Sequence, residues 1–194
     1  MSTLSTTNLK HPSSGSNNIV LNTDGTTTIA APSNIIKSGT AVASTSGTSI
    51  DFTGIPSWVK RITVMFEGVS TNGTSIPLIQ LGDSGGVETT GYLGSGSSVL
   101  AGNNCSATLH TAGFGIGAGI NAVDIFHGAV QINLLNQSTN TWTANGNLGR
   151  SNIANVFSCT GSKSLSATLD RVRITTTNGT DTFDAGTINI LWEG

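Results

Sequence analysis

The chain has 194 residues, enough for one domain and a short appendage, and only 9% of them are charged, against about 25% in ordinary globular domains. A net charge of −2 and a pI near 5.8 argue against nucleic acid as a partner, because phosphate binding needs a basic stripe. No apolar run approaches the roughly 20 residues that span a bilayer, and Met1–Pro12 lacks the hydrophobic stretch of a signal peptide; neither membrane insertion nor signal-directed secretion is expected, and synthesis is placed in a cytoplasm.

Gly, Ser, Thr and Asn make up about half the chain, while Lys and Glu are scarce. This mixture suits strands joined by many turns. So few charges also predict a surface covered in large part by sister subunits, or else a Ser/Thr/Asn surface whose hydroxyls and amides suffice for solubility. Met1–Ser16 has no periodicity and reads as a flexible arm. Asn17–Ala31 predicts a small hairpin, Ile19–Leu21 and Thr26–Ala30 joined by the Asp24-Gly25 turn. Pro32–Gly47 is a Ser/Gly/Thr-rich connector. The division predicted is an N-terminal arm over 1–39 and a knob over 40–194.

Within the knob, Thr48–Thr53 is a short strand leading to the clearest signal, the alternation of Ile62, Val64 and Phe66 with Arg61, Thr63, Met65 and Glu67. A period of two is what a half-buried strand requires. Asn72-Gly73 then predicts a reversing loop that returns Ser75–Asp83 beside that strand. Val87–Leu100, Asn104–Leu109, Gly113–Ala118 and Asn121–Asn136 follow as strands. Trp142–Gly149 reads as a strand interrupted at Asn145-Gly146. Ile153–Cys159, Ser164–Asn178 and Thr182–Glu193 complete the set, with Phe66 and Trp192 expected on the inward faces of two sheets. The likeness of Val59–Thr63 to Arg171–Thr175 raises the prospect of two neighbouring strands. About ten strands at this spacing predict an all-β, antiparallel, jelly-roll-like β-sandwich.

Chemistry is sparse. Gly113, Gly115, Gly117 and Gly119 alternate without the following helix of a phosphate loop; such glycines let two backbones or sheets approach closely. Asp124 and His127 lie three apart in a strand, so they point to opposite faces and form no triad. Asp181 and Asp184 are two carboxylates in a solvated loop. Cys105 and Cys159 have no CxxC partner or nearby His and read as small packing residues. No catalytic residue, metal site or cofactor is predicted.

NLKHPSSGSNNIVLNTDGTTTIA, IDFTGIPSWVKRITVMFEGVSTNGTS, IQLGDSGGVETTGYLGSGS and FDAGTINILWEG resemble segments of virion fibre proteins of tailed bacteriophages, marine and cyanobacterial ones especially. The resemblance implies a homotrimer, an N-terminal arm docked on other virion proteins of the tail, baseplate or capsid, and a C-terminal knob that meets the host surface. The chain has almost no shaft, which departs from long fibres. It implies a virion location and a receptor-binding tail fibre; the alternative is a capsid decoration or baseplate protein with no receptor role. A glycan site joins an aromatic face to amides and hydroxyls. Trp142, with Asn140 and Asn145 in NQSTNTWTANGNLGR, is the first candidate, and Tyr92 the second.

Overall fold

The computed structural model describes residues 6–15, 18–29, 36–102 and 104–194. The chain forms two compact units, residues 1–35 and 36–194. In the first, β1 (Asn8–Leu9) pairs antiparallel with β2 (Ile19–Leu21), which pairs with β3 (Thr27–Ile29). The Asp24 carboxylate accepts the Thr26 N–H at 2.9 Å and its hydroxyl at 2.7 Å, and Gly25 takes a φ of 82°. This is the Asp-Gly turn, closed by the side chain that makes Asp favourable there. The arm is not all without structure, since Asn8 and Leu9 extend the hairpin to three strands.

The second unit contains β4 (Lys37–Ser38), β5 (Val42–Ala43), β6 (Ile50–Thr53), β7 (Arg61–Thr71), β8 (Pro77–Asp83), β9 (Gly86–Val87) and β10 (Leu93–Leu100). It continues with β11 (Asn104–His110), β12 (Phe114–Gly115), β13 (Phe126–Asn136), β14 (Thr141–Arg150), β15 (Asn155–Ser164), β16 (Arg171–Thr176) and β17 (Phe183–Glu193). Among the described residues the large sheet runs β11-β10-β15-β14-β13-β7-β17-β4, with β5 also on β17, and the small sheet runs β12-β8-β16-β6, with β9 on β8. Every pairing is antiparallel. The fold is an all-β sandwich.

The core lies between the sheets. Ile62, Val64, Val130, Ile132, Phe157, Ile188 and Ile190 of the large sheet meet Ile79, Leu81, Val172 and Ile174 of the small one, all fully buried. Full burial of each such side chain contributes about 1.5–3 kcal/mol of transfer free energy. β7 keeps its alternation as far as Glu67. At Gly68, φ 62°, it slips register against both neighbours. A Cβ on the facing Gly186 would lie 2.4 Å from the Gly68 carbonyl carbon, so β17 needs glycine there to pass, while Gly68 is favoured by its positive φ.

Ser75–Asp83 does not return beside β7. Both edges of β7 are taken, by β13 and β17, so β8 crosses into the small sheet. The Asn72 side chain accepts the Thr182 N–H at 2.9 Å, and Asp181 accepts the Ser75 N–H at 2.9 Å. The Asn-Gly turn is thereby stitched to a distant turn. The similar Val59–Thr63 and Arg171–Thr175 stretches fall in different sheets. β14 is not interrupted at Asn145-Gly146; a Cβ on Gly146 would sit 2.4 Å from the Ala129 carbonyl, so this glycine serves close strand approach. Phe66 is buried, but Trp192 is only partly so and belongs to the same sheet. Cys159 is fully buried and burial pushes its thiol up to about 12, whereas Cys105 is exposed and is no packing residue.

Candidate functional site

The predicted site residues part company in three dimensions. β14 turns Trp142 inward, where it is 3% exposed, and Asn145 outward to solvent on the opposite face. Asn140 precedes β14 in the left-handed region, φ 47°, where its carbonyl accepts the Leu165 N–H at 3.1 Å. Asn140 and Trp142 do meet, in a cleft of about 130 Å³ with Ser57, Gln137 and Thr168 at its polar side and Leu134 and Leu169 at its apolar side. The buried Trp142 indole N–H has no acceptor among the described residues. The cleft is well below the roughly 300–1,000 Å³ of small-molecule sites, and no Trp142 ring face is open for stacking.

Tyr92 is fully buried. Its hydroxyl accepts the Leu81 N–H at 2.7 Å and donates to the Glu88 carbonyl at 3.0 Å, and its ring meets Phe114 edge-on at 5.1 Å. Burial pushes its phenol far above the ordinary range, so it stays protonated. It is a core residue with a satisfied polar tip, and the surface role expected of it is corrected.

A second cavity gathers residues that no local pattern marks. A groove of about 330 Å³ opens on the small sheet. Its lining comes from the approach to β6 (Thr48, Ser49), from β8 (Leu78, Gln80), from β16 (Arg173, Thr175, Thr176) and from the turn after it (Thr177, Asn178). Gln80 Nε2 donates to the Ala112 carbonyl at 2.8 Å, and Thr175 Oγ1 donates to the Thr48 carbonyl at 2.8 Å. Arg173 Nε and Nη2 hold the two Asp51 carboxylate oxygens at 2.7 Å each. That hydrogen bond raises the guanidinium's pKa further, so the charge is permanent. The pair engages two of the five guanidinium donors. Asn178 Oδ1 accepts the Thr180 and Asp181 N–H groups at 3.0 Å. The groove gathers hydroxyls, amides and one ion-paired guanidinium, an array suited to a neutral polyhydroxylated ligand.

The acid–base candidates do not assemble. Asp124 is buried with Arg150 and accepts the Asn121 N–H, whereas His127 Nδ1 accepts the Gly68 N–H at 3.2 Å. Asp181 is held below the ordinary range by Asn178 and the Ser75 N–H, and Asp184 is bonded to Ser70. Among the described residues no group of three or more His, Cys, Asp or Glu is placed to hold a metal.

No family model matches the chain, and no curated protein does. Among solved structures, a protein of unknown function from Shewanella oneidensis MR-1 is 9% identical over 92% of this chain and 80% of its own, with a TM-score of 0.29. Scytalido-glutamic peptidase with a peptide-based transition-state analogue is 11% identical over 78% and 66%, with a TM-score of 0.21. At these scores neither likeness bears on activity.

Proposed function

We propose that the chain is a non-catalytic virion protein of a tailed bacteriophage, a short homotrimeric tail fibre whose sandwich attaches to a host-surface glycan. The observation that carries the attachment role is the groove on the small sheet. Its volume lies in the range of ligand sites, and Gln80, Thr175, Thr176 and Asn178 of its lining are held by hydrogen bonds before any ligand arrives, which lowers the ordering cost of binding. The resemblance of four segments to phage fibre proteins supports the virion setting, and the separate N-terminal unit suits docking on a tail, baseplate or capsid partner.

The test is adsorption of the purified protein to host cells and to immobilised lipopolysaccharide. Arg173→Ala removes a charged donor, and Thr177→Trp fills the groove. Arg173→Ala should melt like the parent, because a half-exposed ion pair contributes little to stability, and Thr177→Trp is compared only once its melting is shown to match. Loss of a hydrogen bond to a charged group should weaken adsorption about 10–100-fold. Undiminished adsorption by both folded variants sinks the groove as the receptor site.

One observation favours the second reading, a decoration or baseplate protein with no receptor role. Five strands of the large sheet, β11-β10-β15-β14-β13, present an outer face without an exposed Asp, Glu, Lys or Arg, suited to lateral contact between identical neighbours. Copy number on whole virions, by labelled antibody, separates a few trimers at the tail from many copies over the head.

A further inference from the structure

Five strands of the large sheet, β11-β10-β15-β14-β13, form one continuous surface. Between Glu88 and Arg150 the only Asp, Glu, Lys or Arg is Asp124, and Ser151–Ser162 contains none. Asp124, Arg150 and Lys163, the charges nearest these strands, are turned inward and buried, paired with one another or with Glu88. The outer face therefore carries no charge, from the open edge to β13.

That face is apolar at its β11 end. Leu109 is 82% exposed and Leu93 75%, with Val99 at 55% and Val156 at 50%. The register sets Leu109 opposite Ser95, and Val99 between Cys105 and Val156. Beside the projecting Leu109 runs an apolar groove of about 350 Å³ over Leu93, Ser95 and Thr160, floored by Gly94 and Gly161. A knob and a hole thus sit on one patch. β11 is the last strand of the sheet among the described residues, and Asn104–His110 carries no charge, proline or bulge to guard its edge.

We infer that this face is where copies of the chain join, the Leu109 side chain of one copy seating in the Leu93–Gly161 groove of the next. A patch bearing both knob and hole is self-complementary, in a two-fold pair or a closed ring. A face without charge offers no potential to select a differently charged partner and brings no like-charge repulsion between copies. The size fits: five strands of 7 to 11 residues, at about 4.8 Å spacing and about 3.4 Å per residue, span roughly 750 Å² in projection, near the about 800 Å² per partner of a standard interface. This deepens the assembly part of the proposed function and rests on self-association alone, so failure of the glycan test leaves it standing.

The experiment uses the full chain. Light scattering of the parent should give a multiple of 19.7 kDa. Leu109→Lys and Val156→Lys alter exposed side chains and should keep the parent's circular dichroism while weakening association on the order of 100-fold or more. Cys105, on the same face, provides a native reporter: its thiol should react slowly with a maleimide in the parent and quickly in Leu109→Lys. Thr177→Lys, in the turn after β16, should change neither mass nor thiol rate. A monomeric parent overturns the inference, and so does an assembly that survives both lysine variants with Cys105 equally reactive.

Discussion

At the residue scale, the unusual feature is how the few charges are used. Asp124 and Arg150 are both nearly inaccessible and ion-paired, and the guanidinium also lies 5.5 Å over the Phe157 ring. Asp124 further accepts the Asn121 N–H at 2.9 Å, so the pair ties the loop before β13 to the end of β14. Replacing one partner leaves the other charge buried and alone, which costs about 3–5 kcal/mol. Asp124→Ala should therefore lose most of a small domain's margin, measured by urea unfolding. Retention of the parent's midpoint would show that the guanidinium escapes to water. Glycine has a similarly specific use. A Cβ on Gly96 would stand 2.5 Å from the Gly117 carbonyl oxygen and one on Gly115 would strike the His110 ring at 2.3 Å. Of the alternating glycines, Gly113, Gly115 and Gly117 serve the close approach expected of them, with side chains of His110 and Phe157 among what approaches, whereas Gly119 has open space around it and a φ of 77°.

At the element scale, the segment after β16's neighbour β8 is fastened by carboxylates. Asp83 accepts the Ser166 hydroxyl at 2.7 Å and the Gly85 N–H at 2.8 Å, and these bonds hold it below its ordinary value of 3.8. Burial would push Glu88 up, but Lys163 and the Ser166 N–H outweigh it and bring it below 4.5. A depressed folded pKa contributes stability that is present above the unfolded value and lost as pH falls through the folded one. Melting temperature should therefore drop below about pH 4. The Asp83→Asn, Glu88→Gln double variant should melt lower at pH 7 and lose less on acidification. Parallel melting curves for the two proteins would refute this account.

At the scale of the whole molecule, the two units divide between Ile35 and Ile36. The sandwich of residues 36–194 holds its own core of buried side chains from both sheets, which is the condition for folding alone. A chain beginning at Ile36 should melt as the sandwich of the full protein does, by calorimetry. A molten 36–194 fragment would show that the N-terminal unit is required for the core.

The sequence by itself determined the class of fold. Alternation in β7, the Asp24-Gly25 turn and the long apolar-in strands are local patterns with periods that side-chain geometry imposes. It also brought Asn140 and Trp142 to notice as neighbours, since they are two residues apart. Tertiary structure decided what each pattern faces. Tyr92 and Trp142 look like surface aromatics among polar residues, yet β14 points one inward and backbone groups of Leu81 and Glu88 satisfy the other. β8 left its expected partner because β13 and β17 had taken both edges of β7, a competition between strands far apart in sequence. The Thr-lined groove draws on separate stretches from Thr48 to Gly179, and the Leu109 knob and its hole on three strands. Such sites have no periodicity to read: hydrogen bonding between strands, acting across the whole chain, is what assembles them.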